Sequence, residues 1–477
     1  MAKRVEERAL RVGMPRANGP LVVVQRRAAD RLRAGHLWVY RTDVEELVPA
    51  LTGGGLVAGG PQVEGGALVT VVDSRGIPLG TGLFSAASQI AVRMVSAEAS
   101  VTREGYLAMV RERLDAALAL REELAPESLE ENACRLVFSE ADGLPGIVAD
   151  RYHDVVVLQL LTQGTARDDI RRLVTEVLTE RFALETVVER PDPRVRELEQ
   201  LAAVSAEPLF VRGEAERAAT RANAGPDITT NAGPSASLRM TDVLEGGDRV
   251  AKLATVFTIN GLRFHFDAGA GQKTGAFLDQ RLNYAAAARY ARGVALDVCT
   301  YQGGFALHMA TRCERVTGVD ASRAALEVAD RNRELNTGEL NMGVVGEGVL
   351  RAVVDWIEAD AFELLREFEG SGRRYDTIVL DPPAFAKSKR AAEGALRGYK
   401  EMNLRAMKML RPGGTLVTCS CSHHVPLADF AEVVRAAAVD ASRRVQVLET
   451  RGAAPDHPAV LTLPETSYLK CLICRVG

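Results

Sequence analysis

The chain has 477 residues, 47% of them hydrophobic, and a net charge of -4 at neutral pH. It is too long for one average domain and apolar enough for several cores, and its charge excludes a protein that grips nucleic acid over its whole surface. No apolar run approaches the roughly 20 residues that a spanning helix requires, and the basic start MAKRVEERALRVGMPRANG lacks the apolar segment of a signal peptide. No membrane partner and a cytoplasmic location are therefore expected. Seven scattered cysteines, an odd number, do not form a disulfide framework.

After a basic tail at 1–18, the runs LVVVQ, LVTVVD, GTGLF and QIAVRMV alternate with Gly-rich turns and predict a small β-rich module over 19–98. An α/β segment over 99–211 begins with a helix at 105–124 and continues in the strands RLVFSE, GIVADRY and VVVLQLL, with the DGLPG reversal at 142–146. Residues 212–252, rich in Ala, Gly, Thr and Asn, read as a flexible insertion. Over 253–477 a hairpin turning at Asn260 and Gly261 precedes strands VALDV, RVTGVD, IEAD, TIVL and TLVTCS, each separated by an amphipathic helix. That alternation predicts an α/β fold, a parallel sheet with helices on both faces.

Ligands of such a sheet bind beyond the carboxyl ends of its strands. Gly303 and Gly304 follow the first strand and allow close backbone approach at a helix start; Asp320 ends the second strand, placed for ribose hydroxyls; Asp360, with Ala361 and Phe362, ends the third. GxGxxG is absent and with it a pyrophosphate cradle, so S-adenosylmethionine fits better than a dinucleotide. The fourth strand runs into DPPAF, where Asp381 and the carbonyls around Pro382 and Pro383 accept hydrogen bonds and Phe385 offers a stacking face, a cluster suited to a base with an exocyclic amine. Cys421 follows the fifth strand. A thiolate adding to C6 of cytosine would make C5 nucleophilic, and His423, His424, Lys387 and Lys389 are candidates for stabilising it. Cys419 reads as core and Cys299 as loop packing; Cys471 and Cys474, three apart in a strand, point to opposite faces and share no metal.

Two basic stretches, 1–41 with ten Lys or Arg against three acids and 386–411 with eight against two, are candidates for holding RNA phosphates.

Taken in order, HLWVYRTDV, GTGLFSAASQIAVRM, SEADGLPGIVADRY, GQKTGAFLDQR, YQGGFALHMA, DPPAFAKSK, RGYKEMN, SCS and DHPAVLTLPETSYLK resemble the bacterial large-subunit (23S) ribosomal RNA cytosine-5 methyltransferase I family. The resemblance covers nearly all of the chain except the tail and the 212–252 insertion; it departs also at His423 and His424, which replace small residues after SCS. It implies an N-terminal PUA domain, a central α/β domain and a C-terminal Rossmann-like class I methyltransferase domain. Cofactor contacts would fall on Asp297, Thr300, Tyr301, Gly303, Gly304, Phe305, Asp320, Ala321, Asp360, Ala361 and Asp381. Catalysis would rest on Cys421 with Asp381, and substrate contacts on Pro382, Pro383, Phe385, Lys387, Lys389, Gln280 and Arg281, the last two in a lid-side element with Lys273 and Asp279. It implies 23S ribosomal RNA or its precursor as partner and a homodimer as assembly. Two other readings remain open on the residues alone: an RNA guanine methyltransferase, which needs no covalent step, and a ribosome-assembly factor that binds RNA without marking it.

Overall fold

The computed structural model describes residues 19–49, 63–124, 132–204, 206–213, 252–269, 275–337, 350–385 and 392–477. The tail, nearly all of the expected insertion, Lys273, Lys387 and Lys389 lie outside the described residues.

The N-terminal sheet comprises β1 (Leu21–Val24), β2 (Trp38–Tyr40), β3 (Val44–Val48), β4 (Leu68–Asp73), β5 (Pro78–Phe84) and β6 (Ile90–Ser96), in the order β2-β6-β5-β4-β1-β3. Helix α1 (Arg26–Arg33) seals it with Ala28 and Ala29, which join Val22, Val39, Val71 and Phe84 in the core.

A second sheet follows α2 (Arg103–Glu123), whose start is capped by Thr102 Oγ1 accepting from Gly105 N at 3.1 Å. Its strands are β7 (Ala133–Phe138), β8 (Ile147–Tyr152), β9 (Val155–Leu160), β10 (Thr186–Glu189) and β11 (Glu207–Val211), with α3 (Asp168–Arg181) and α4 (Pro193–Leu198) between the later ones. Strand β9 is buried throughout because both its faces are covered. Val156, Leu158 and Leu160 meet α2 and α3, whereas Val155 and Val157 meet the phenylalanines of a hairpin, β12 (Ala254–Ile259) and β13 (Leu262–Asp267). That hairpin turns at Asn260 (φ 49°) and Gly261 (φ 77°), as the Asn-Gly pair predicts.

The C-terminal sheet is built from β14 (Val294–Val298), β15 (Arg315–Asp320), β16 (Val353–Glu358), β17 (Tyr375–Leu380), β18 (Leu410–Ser420), β19 (Val445–Arg451) and β20 (Lys470–Val476). The order is β16-β15-β14-β17-β18-β20-β19, and β20 alone runs antiparallel to its neighbours. Helices α5 (Arg281–Tyr290), α6 (Gly304–Ala310), α7 (Arg323–Asn336), α8 (Ala361–Gly370), α9 (Ala392–Met409) and α10 (Leu427–Asp440) complete the domain. The two-residue period sorts β18 and β20 between opposite cores: Leu416 and Cys474 pack on one side, Val417, Cys419 and Cys471 on the other. The strand order reverses between β14 and β17, which places the ligand crevice at the carboxyl ends of those two strands.

Buried ion pairs tie the sheets together. Glu199 accepts from Arg93 Nη1 at 3.0 Å and Ser85 Oγ at 2.8 Å. Asp456 accepts from the amide of Arg135 at 3.0 Å, lies 3.3 Å from the Arg281 guanidinium and contacts His457 Nδ1 at 3.0 Å. Burial pushes the Asp456 carboxyl up, but His457, Arg281 and the Arg135 amide together bring it down to about 2. Arg281, expected at the substrate, is thereby committed to the fold: only 5% exposed, it joins α5 to the segment before β20.

Candidate active site

The loop after β14 carries three left-handed residues in five, Cys299 (φ 65°), Tyr301 (φ 52°) and Gly303 (φ 85°). Two of them are not glycine, a costly conformation that persists only where the surroundings over-determine it. Here Asp297 Oδ2 accepts from Thr300 Oγ1 at 2.6 Å and from Ala306 N at 2.9 Å, while Asp320 Oδ2 accepts from Tyr301 N at 2.9 Å. Burial raises the Asp297 carboxyl to about 7, and its Oδ1 is buried with no hydrogen-bond partner among the described residues. Gly303 supplies the left-handed residue before α6, but Gly304 has another task than the expected close approach to a ligand: a Cβ there would stand 2.5 Å from the Tyr284 ring, so its smallness seats α6 on α5.

The acids singled out in the sequence converge on this loop. The Cys299 thiol is pushed up first by burial and then by Asp320, Asp381, Asp297 and Asp360, which come from four different strand ends. Asp320 Oδ1 is held by Ser322 N at 2.9 Å, and Asp360 is oriented by the amides of Phe362 and Glu363 at the start of α8. Ala321 is exposed beside Asp320, and Ala361 is half-buried. Phe277, Tyr284, Thr300, Tyr301, Phe305 and Asp381 are among the residues lining the adjoining cleft. Asp381 lines that cleft and three further acids act on its Cys299, a field that repels a pyrophosphate and attracts a cation.

Beyond β17 the DPPAF turn closes the crevice. Asp381 Oδ1 accepts from Gln280 Nε2 at 3.0 Å, Gln280 Oε1 accepts from Asn283 Nδ2 at 2.7 Å, and Asn283 Oδ1 accepts from Arg451 Nε at 2.8 Å. Gln280, expected at the substrate, is 3% exposed and acts as a link of this chain, fixing the direction in which Asp381 points. Pro382 is buried, Pro383 exposed, and Phe385 is wedged between Phe362 and Tyr399, with ring centroids 5.8 and 4.8 Å away.

Cys421 sits half-buried just past β18, its Sγ 3.9 Å from the Pro382 carbonyl. Ser420 and Ser422 on either side bond the Tyr399 hydroxyl at 3.0 and 2.9 Å, which pins the backbone that carries the sulfur. Lys470 is paired opposite Ser420 across β18 and β20, and its Nζ donates to the carbonyls of Ser422 and Tyr468, both at 2.7 Å. His423 does not supply the positive charge expected of it: burial, then Lys470 and His424, hold its imidazole below the ordinary value, although a bond to the Glu465 carbonyl works the other way.

A model of S-adenosylmethionine-dependent methyltransferases matches residues 245–474, and a model of PUA-like domains matches residues 22–97. The ribosomal RNA large subunit methyltransferase I of Shewanella amazonensis is 36% identical over 415 residues, covering 86% of this chain and 91% of its own. The chain belongs to the ribosomal RNA large subunit methyltransferase I family. The member from Aliivibrio fischeri is 32% identical over 93% of this chain and 96% of its own. In fold the chain resembles a SAM-dependent methyltransferase of Streptococcus mutans, with a TM-score of 0.70 at 15% identity over 95% of this chain and 99% of that one, and the SMU.776 methyltransferase solved with SAH gives the same figures. This family member is an S-adenosylmethionine-dependent methyltransferase of the class I fold. The residues present fit that cofactor, because the carboxylate ring suits its sulfonium and ammonium charges and Asp320 retains acceptor capacity for ribose hydroxyls.

Sequence reasoning named Gln280 and Asp381 but not the bond between them, and missed Asn283, Tyr399 and Lys470 as parts of the site, though RGYKEMN and SYLK were visible as motifs. The useful signal was a lysine at the start of a mostly apolar strand. The basic stretch 386–411 also changes meaning. Its described cations are each matched by an acid: Arg397 by Glu393, Lys400 by Asp440, Arg405 and Lys408 by Glu369, and Arg411 by Asp376. Over its described residues it is a neutralised helix face rather than a bank of free charges. Among the described residues no group of three or more His, Cys, Asp or Glu could hold a metal, and no helix is long and apolar enough to cross a membrane.

Proposed function

We propose that this methyltransferase forms 5-methylcytidine in 23S ribosomal RNA, with Cys421 as the covalent nucleophile. The observation that carries the reading is the placement of the Cys421 sulfur against the carbonyl of the DPP turn, at the mouth of the acid-ringed crevice. Asp320 and Asp360 would hold S-adenosylmethionine, which would supply the methyl group as an electrophile and leave as S-adenosylhomocysteine. The target cytosine must leave its stack so that both ring carbons are open. The Cys421 thiolate adds to C6, the C5–C6 double bond gives up its electron pair to C5, and C5 becomes the carbon that is methylated. Loss of the C5 proton then re-forms the double bond and expels the thiolate. Asp381, aimed by Gln280, and the Pro382 carbonyl accept from the amine edge of the base.

The PUA-like module holds the RNA strand. Its His36, Trp38 and Tyr40 rings cluster 6.2–6.4 Å apart, and Tyr40 Oη donates at 3.2 Å to Glu465, whose carbonyl contacts His423 beside Cys421. A strand stacked on those rings would lead toward the sulfur.

The test is methyl transfer from labelled S-adenosylmethionine to unmodified large-subunit RNA, digested to nucleosides, with wild type and Cys421→Ala side by side. Label in 5-methylcytidine that vanishes in the variant is expected. Label in a guanosine that survives the substitution, or no label at all with RNA and cofactor both bound, overturns the reading.

A further inference from the structure

A cysteine that attacks a ring carbon must be a thiolate, yet an ordinary thiol, with a pKa of roughly 8.5, is only a few per cent ionised near neutrality. Acids surround this crevice and oppose a further negative charge. Titratable groups on the elements around the cysteine loop are Asp381 at the end of β17, Tyr399 on α9, His423 and His424 on the loop itself, and Glu465, Tyr468 and Lys470 in and before β20; Tyr399 and Lys470 act on the sulfur directly. Tyr399 is raised by burial and so stays neutral, His423 is held below its ordinary value, and the Tyr468 hydroxyl is engaged by Asp279 at 2.6 Å. Lys470 is different. It is 5% exposed, a costly place for an ammonium, and it is fixed there by two carbonyls, one of them on Ser422, the residue after the cysteine. An ammonium has three donors, and among the described residues its third is not taken by a protein oxygen.

We propose that Lys470 is the positioning cation of the site: anchored on the Ser422 and Tyr468 carbonyls, its ammonium holds Cys421 in the thiolate form. Burial lowers Lys470 and the charge on Cys421 raises it, which together leave it at about 8, so the two groups sense one another and the lysine is still mostly protonated at neutral pH. The same anchoring through Ser422 ties the charge to the backbone of the sulfur it serves, so that the distance between them does not depend on a mobile side chain. The inference rests on Cys421 being the nucleophile, but it is read from the sulfur itself.

The experiment is the pH profile of Cys421 alkylation by iodoacetamide in the full-length protein, followed on the Cys421 peptide by mass spectrometry. Wild type should show a midpoint about one unit or more below the ordinary thiol value of roughly 8.5. Lys470→Gln and Lys470→Met should move it back up, slowing alkylation at neutral pH about tenfold per unit, and Lys470→Arg should keep it low. A wild-type midpoint at or above the ordinary value overturns the proposal without any variant, as does an unchanged profile in a folded Lys470→Gln. Methyl transfer that survives Cys421→Ala would instead remove the covalent mechanism, while leaving the alkylation profile as measured.

Discussion

The two halves of the catalytic rim are built on opposite electrostatic plans. Under β14, β15 and β16 the chain gathers carboxylates around a strained loop, burying one of them, Asp297, deeply enough to reach about 7. Under β17, β18 and β20 it assembles carbonyls, hydroxyls and one buried ammonium around a thiol. The first arrangement suits a ligand that arrives positively charged. The second suits a group that must itself become negative. Strand β20 makes the second half possible, because its reversed direction brings Lys470 to the carboxyl edge of the sheet, where the parallel strands end in loops.

That contrast can be broken on either side. The largest effect after loss of Cys421 itself is expected at Asp320: Asp320→Ala should weaken cofactor binding by about 2 kcal/mol, roughly thirtyfold, because a charge-assisted acceptor is lost. Calorimetric titration with S-adenosylmethionine measures it, and Cys421→Ala should leave the same affinity unchanged. The seam that holds both halves against the central sheet is next. Asp456 has a folded value of about 2 against an ordinary 3.8, so its stabilisation is present above about pH 4 and is lost as pH falls towards 2. Asp456→Asn should therefore cost about 2 kcal/mol at neutral pH, with a deficit against wild type that shrinks on acidification, read by denaturant unfolding.

A smaller effect separates aiming from binding. Gln280→Ala removes the amide that donates to Asp381 and one of the two acceptors of Asn283 Nδ2, and should cost methyl transfer roughly 1–2 kcal/mol, about five- to thirtyfold, with cofactor affinity nearly unchanged. A kcat that falls with an unaltered cofactor Kd supports the role in the substrate half. The smallest effect is predicted at Arg397, whose pair with Glu393 is exposed: Arg397→Ala should change stability by less than about 0.5 kcal/mol and RNA affinity hardly at all. A large loss of RNA binding would mean that α9 presents its charge after all.

Much of the rim was legible because it depends on local order. VALDV and RVTGVD fall on β14 and β15 residue for residue, and the acids and the DPPAF turn follow their strands directly. The offset of Cys471 from Cys474 was enough to separate them onto opposite faces. What could not be read was pairing at a distance. Lys470 is adjacent to the cysteine loop only through the register Ser420 to Lys470, set by an antiparallel strand inserted between β18 and β19. Lys400, Arg405, Lys408 and Arg411 looked free because their partners Asp440, Glu369 and Asp376 lie on three other elements. Arg281 looked available beside Gln280 because its partner, Asp456, is far away in sequence and close only in the fold. The short strand β2 carries too few residues for alternation to show, yet its Tyr40 reaches Glu465, whose carbonyl contacts His423 of the catalytic loop.

The most direct measurement of the central claim uses RNA whose cytidines carry fluorine at C5. Fluorine cannot leave as a proton does, so a thiolate that has added to C6 of a methylated ring stays attached. Incubation with the protein and S-adenosylmethionine should yield a denaturation-resistant protein–RNA adduct, with the modified base mapping to the Cys421 peptide and no adduct in Cys421→Ala. An adduct on another residue, or transfer of label to RNA with no adduct at any time, would contradict the account.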